Sequence, residues 1–394
     1  MAKDIRSLTG IRGVAATWVV LYHVHETDDL HGVVKTLLTH GYLAVDLFFL
    51  LSGFVMAFSY GRLATAGWNL KSYKTFLWHR FGRVYPLYFL MTCAVALMIV
   101  LGWSKTIPVQ DLGAVFPANV ALVQVWFSVR SIGGPAWSIS TEFAAYLLFP
   151  LLAACTLTTR RTAMLLAVPF VCVVAIYLLQ FVPTPPYAPY RMGPLDVYWG
   201  GEAVLRCLSE FTIGLVTYRL TRFGRVKRWA GKPLVAYAVT AVLLTLLCTP
   251  DMDVLAVIAM ASLLLVLALG DDRLSRLMGS RIVFFFGEIS YSMYLLHTQF
   301  LRLRPIGETK WLVSNVGAVG ADVVALTVLY ASLVLCSWLT YRMVERPCRE
   351  WCRQVGSSRE KLARLAVPPI SAAVTLPLPL APDSLHVDPP GTTA

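Results

Sequence analysis

Charge is what this sequence has least of. Only 14% of its 394 residues are Asp, Glu, Lys or Arg, while 57% are hydrophobic, and its mean hydropathy is +0.65. A soluble domain of this length does not need so much apolar surface, and lipid is the natural place for it. A cysteine framework is lacking too. Of eight cysteines, Cys93, Cys155, Cys172, Cys207, Cys248 and Cys336 sit inside apolar runs, where a thiol behaves as a small apolar side chain. Cys348 and Cys352, one helical turn apart, lack the pair-of-pairs spacing of a structural zinc site, so no metal is expected. No internal repeat is visible. No small-residue cleavage site follows the first apolar run, and Arg12 interrupts it, so a removed secretory leader is not expected.

Segments of about 17 to 25 apolar residues cross a bilayer as helices that satisfy their own backbone polar groups. Ten such segments are present, near residues 8 to 26, 40 to 60, 84 to 103, 137 to 157, 162 to 182, 202 to 218, 233 to 249, 253 to 270, 282 to 300 and 314 to 341. The expected fold is therefore an all-α polytopic membrane protein of about ten transmembrane helices. The stretch from Leu112 to Phe127 is shorter and carries Pro117, Asn119 and Gln124, which marks an interfacial or re-entrant piece.

The formal charge of +12 could signal a nucleic-acid partner, but the basic residues lie in short blocks between apolar runs, so none is expected. With both termini cytoplasmic, the inside segments hold 25 Lys or Arg and the outside segments 7, with Arg12 and Arg206 inside spans. That asymmetry is what the positive-inside rule predicts for an even number of spans. The chain then divides into a transmembrane domain over 1–345, a basic cytoplasmic segment over 346–366 and a Pro/Ala-rich tail over 367–394, whose composition predicts disorder.

Ionisable residues at bilayer depth are costly, so each is a candidate for function or for a structural ion pair. Arg12 and His23 project from one face of the first helix, eleven residues and about 16 Å apart along its axis. The competing reading has His23 at the interface and Arg12 snorkelling to headgroups. Asp46 and Glu142 fall near the outer ends of their spans, at about the depth of His23. A histidine oriented by a carboxylate is the usual general base for a hydroxyl nucleophile, although pairing of Asp46 with an arginine is favoured. Arg80 and Arg83, one turn apart, form a clamp suited to phosphate oxygens, or else ordinary inside anchors. Pro86 is expected near the first turn of the third span, where its missing N–H costs least. Glu202, Arg206 and Glu210 form a stripe that can neutralise itself. Glu288, His297 and Asp322 are expected to face the bundle interior.

In order along the chain, these residues form a set. Arg12 and His23 lie in LTGIRGVAATWVVLYH, Asp46, Ser52 and Gly53 in VDLFFLLSGF, and Arg80, Arg83 and Pro86 in RFGRVYP. WSISTE at 137–142, SYSMYLLH at 290–297 and VERP at 344–347 complete it. Over roughly residues 4 to 350 the chain resembles the acyltransferase 3 family of membrane proteins. The resemblance implies an acyl-CoA donor, most often acetyl-CoA, with no permanently bound cofactor, and residence in the plasma (inner) membrane. It also implies an acceptor hydroxyl on a saccharide such as a cell-envelope polysaccharide or glycolipid, or else on a macrolide or other glycosylated small molecule. It makes His23 the catalytic base, Arg12, Arg80 and Arg83 the donor contacts, and Glu142 a second catalytic-site residue. Ser138 or Ser140 could carry an acyl-enzyme, an alternative to direct transfer.

Two departures stand out. Thr9 occupies a position that is often acidic in the family, and only a short tail follows the last span, so no fused esterase-like domain is expected to complete the transfer. Rival readings are a secondary transporter, whose two related halves are not apparent, and a sensor or scaffold without catalysis.

Overall fold

The computed structural model describes residues 5–24, 32–67, 69–159, 162–185, 191–302 and 310–365. Every element among them is helical. They are α1 (Arg6–Val24), α2 (Gly32–Thr39), α3 (Ala44–Ala66), α4 (Leu70–Val100), α5 (Val109–Val120), α6 (Trp137–Ala153), α7 (Thr162–Leu179), α8 (Gly200–Leu220), α9 (Gly224–Ala230), α10 (Pro233–Leu247), α11 (Asp253–Leu269), α12 (Arg273–Met278), α13 (Arg281–Leu301), α14 (Lys310–Thr340) and α15 (Arg346–Leu365). Each of the ten apolar segments of the sequence holds one helix. By length and composition four stretches can cross a membrane: Gly32–Gly61, Leu70–Val100, Trp137–Thr158 and Gly320–Val355. A fifth follows if α9 and α10, bent by 74° across the break between Ala230 and Pro233, count as one. Large apolar side chains such as Leu97, Val100, Leu166, Phe170 and Phe181 point outward and are exposed, an arrangement that lipid stabilises and water does not.

Two close helix contacts position the polar residues. Small residues let backbones approach where no hydrophobic drive separates helix from lipid. On α1 against α13, a Cβ at Gly287 would stand 1.9 Å from the Thr9 carbonyl oxygen, and one at Gly13 would stand 2.6 Å from the Gly287 nitrogen. On α3 against α8, a Cβ at Gly53 would lie 1.9 Å from the Phe211 oxygen. The second contact carries a buried ion pair. Arg206 Nε donates to Asp46 Oδ1 at 2.9 Å and its Nη2 to Asp46 Oδ2, while Nη1 donates to the Val197 carbonyl at 3.0 Å.

The structure departs from the sequence pattern in several places. The stripe of Glu202, Arg206 and Glu210 closes only in part, through the Arg206–Glu210 ion pair. Arg206 turns across to Asp46, Glu210 stands 3.7 Å away, and Glu202 is only half-buried, because a bidentate partner on the neighbouring helix has better geometry than one along the same helix. Pro86 is not near a helix start. A capping box at Asn69 and Ser72 begins α4 well before the apolar run, since caps and backbone hydrogen bonds set a helix end whereas hydropathy reports only the lipid-facing part. Glu288 is exposed and accepts from Tyr341 Oη at 3.0 Å. The inner face of α13 runs through Gly287, Ser290, Tyr294 and His297, one helical step away.

The stretch from Leu112 to Phe127 is a short helix and a loop. Asn119 holds that loop by donating to Val115 and Arg130 carbonyls and accepting from Ile132 N. Residues 346–365 are helical, and the tail from 367 lies outside the described residues.

Candidate active site

α1, α3, α4, α6 and α13 enclose a cavity of about 100 Å³, onto which Arg12, Arg80, Arg83 and Glu142 all open. The four come from three separate helices, so only the bundle brings them together. Arg80 is held by the Tyr60 ring, 5.4 Å from its guanidinium carbon. Its Nε is buried with no hydrogen-bond partner among the described residues. A buried unsatisfied donor is costly, and a guanidinium in that condition is suited to an anionic ligand. Glu142 accepts from Tyr146 Oη at 2.6 Å and acts electrostatically on Arg12. Glu142 therefore stands with the arginines.

Tyr294 and Ser138 form another wall. Their hydroxyls lie 2.7 Å apart, and Tyr294 donates to the Pro135 carbonyl at 2.9 Å. Ser138 opens onto the cavity, whereas Ser140 is committed to the Leu122 carbonyl at 2.8 Å.

His23 lies beyond that wall, at the far end of α1, and is exposed. Its Nδ1 is 2.9 Å from the Val19 carbonyl, which can only accept, so in the neutral ring Nδ1 carries the proton and Nε2 is the basic nitrogen. The ring meets His297 edge-on, with centroids 4.8 Å apart. His297 is buried and is fixed in the same tautomer by the Tyr294 carbonyl at 2.7 Å, and its Nε2 has no hydrogen-bond partner among the described residues. The two imidazoles thus meet at one end of the α1–α13 seam. A histidine next to a carboxylate exists elsewhere, with His40 Nε2 3.8 Å from Asp253 Oδ1, but that carboxylate is bound to Tyr42 Oη and Leu195 N and has a structural part.

The sequence left two residues of this region without a role. His297 belongs to the SYSMYLLH run, but nothing in its spacing places it beside a residue on α1. Glu345, in VERP, is carried inward by a π-helical turn over Tyr341–Glu345. It is buried, accepts from Ser292 Oγ at 3.4 Å, and has Arg83, Arg12 and Arg349 as electrostatic neighbours. π turns often occur where a side chain must be re-aimed.

The family model described as "Acyltransferase domain" matches residues 5–342. The chain belongs to the acyltransferase 3 family. It is an enzyme that transfers acyl groups. Acyltransferase MdmB of Streptomyces mycarofaciens is 29% identical over 377 residues, 87% of this chain and 91% of that protein. Protein 2 in the picA locus of Rhizobium radiobacter is 34% identical over 179 residues, 41% of this chain and 88% of that protein. No solved structure matches. The site thus has two parts, an arginine-lined cavity and a pair of imidazoles.

Proposed function

We propose that this acyltransferase 3 protein is an O-acyltransferase of the plasma (inner) membrane. Its ten apolar helices would all cross, with both termini cytoplasmic. It moves an acyl group, acetyl in the first instance, from acyl-CoA to a hydroxyl of a saccharide-type acceptor such as an envelope polysaccharide or glycolipid. The observation that carries this reading is the convergence of Arg12, Arg80 and Arg83 on one cavity, with the histidine pair farther up the helix that bears Arg12.

On this reading the donor's phosphates rest near Arg80 and Arg83, and its long thiol arm runs past Tyr294 toward His23. His23 Nε2 takes the acceptor's hydroxyl proton as the oxygen attacks the thioester carbonyl. The C–S bond breaks, CoA leaves as its thiol with that proton, and the ester remains on the acceptor. Glu142, bound to Tyr146, offsets the charge of Arg12 in the arginine cavity. The histidines stand at the end of α1 that the orientation makes extracytoplasmic, which favours an envelope acceptor over a cytoplasmic metabolite.

Arg80→Ala and Arg83→Ala are expected to raise KM for acetyl-CoA roughly tenfold or more each, the scale of a lost charge-assisted hydrogen bond, with kcat little changed. Initial rates at varied acetyl-CoA check this. An unchanged KM in both variants would remove these arginines from the donor site.

A further inference from the structure

α15 lies along the first turns of α4. Trp78 Nε1 donates to the Cys352 carbonyl at 3.1 Å, the Trp78 and Trp351 rings sit 5.9 Å apart, and a Cβ at Gly82 would stand 2.3 Å from Cys352 Sγ. That seat brings Arg349 and Arg353 against the stretch of α4 that carries His79, Arg80 and Arg83. Arg353 has Arg349, Arg80 and Arg83 among its electrostatic neighbours, and His79 has Arg80 and Arg353.

Four guanidiniums therefore come together, and Glu345, the carboxylate beside Arg83 and Arg349, also serves Arg12. Three nitrogens of the cluster, His79 Nε2, Arg80 Nε and Arg349 Nε, are buried with no hydrogen-bond partner among the described residues. Arg80 is only 9% exposed. Anchoring to lipid headgroups accounts for exposed arginines such as Arg353, but not for nitrogens turned inward and left unsatisfied. A polyanion bound beside the α4–α15 contact would satisfy them and relieve the repulsion.

We propose that Arg349 and Arg353, with His79, extend the Arg80–Arg83 clamp into a phosphate site that binds the nucleotide end of the acyl-CoA donor. This rests on the donor assigned under Proposed function. The amphipathic helix is then part of the substrate site, which it closes on the side facing away from the histidines.

The test uses the full chain in nanodiscs of neutral phosphatidylcholine, with coenzyme A as the probe in calorimetry. Arg349→Ala and Arg353→Ala are expected to weaken coenzyme A roughly tenfold each. Arg353→Lys should recover part of that loss. Pantetheine, which lacks the nucleotide, should bind wild type and both alanine variants alike, and adenosine 3′,5′-bisphosphate should displace coenzyme A from wild type. Arg353 is exposed, so its substitution leaves the fold intact. Wild-type affinity retained in both variants overturns the proposal and leaves the donor reading standing, and so does a loss confined to nanodiscs of anionic lipid, which assigns the arginines to headgroups. Failure of wild type to bind coenzyme A at all overturns both.

Discussion

His23→Ala is expected to lower kcat for acyl transfer by about two to four orders of magnitude, the usual contribution of a positioned general base, while KM for acetyl-CoA stays near wild type. The separation of effects follows from geometry. His23 is about 16 Å along α1 from Arg12, beyond the Tyr294 wall of the arginine cavity, so truncating it does not disturb a donor held by guanidiniums. His297→Ala, which removes the ring packed edge-on against His23, is expected to fall between the two, since it frees the orientation of the base without removing it. Rates with purified enzyme and saturating acceptor measure both. His23→Ala keeping more than a tenth of wild-type kcat would take this residue out of the chemistry.

Arg206→Met is expected to cost about 3–5 kcal/mol of stability, because it leaves the carboxylate of Asp46 buried without its partner. Asp46 and Arg206 are both 0% exposed, and the pair locks α3 to α8 where Gly53 meets the Phe211 backbone. The double variant Asp46→Leu with Arg206→Met should regain much of the loss, since an apolar replacement of both charges avoids the stranded ion. Thermal unfolding in detergent, read alongside the monodisperse fraction on gel filtration, follows both. A single variant as stable as wild type would show that the pair contributes nothing to the bundle.

Much of this architecture is legible in the sequence because hydropathy reports directly which segments avoid water, and each of the ten segments does hold a helix. Arg12 is legible because charge in an apolar run is conspicuous, and Arg80 and Arg83 because they stand one helical turn apart. Pairing across helices is a different matter. Spacing fixes where a side chain lies on its own helix, but which neighbour it faces depends on helix rotation, and here that is set by Gly13, Gly53 and Gly287. Glu142 consequently reads as a companion of His23 by depth along its helix, whereas it bonds Tyr146 and neighbours Arg12. His297 reads as an unassigned interior residue until Gly287 brings α13 onto α1. Glu345 needs a π turn to reach the arginines, and local sequence does not announce that irregularity. The start of α4 was hidden for another reason, since its first turns are charged and a capping box leaves no trace in hydropathy.

The proposed reaction passes an acyl group from acyl-CoA to a hydroxyl on non-protein material. The most direct measurement incubates wild-type membranes with radiolabelled acetyl-CoA and a crude envelope glycan extract, then follows label in the glycan and glycolipid fractions together with release of free CoA thiol. Label is expected in those fractions that mild alkali liberates as acetate, in proportion to the thiol released. Absence of ester-linked label and of thiol release across acetyl and longer acyl donors, with a range of hydroxyl acceptors, would contradict it.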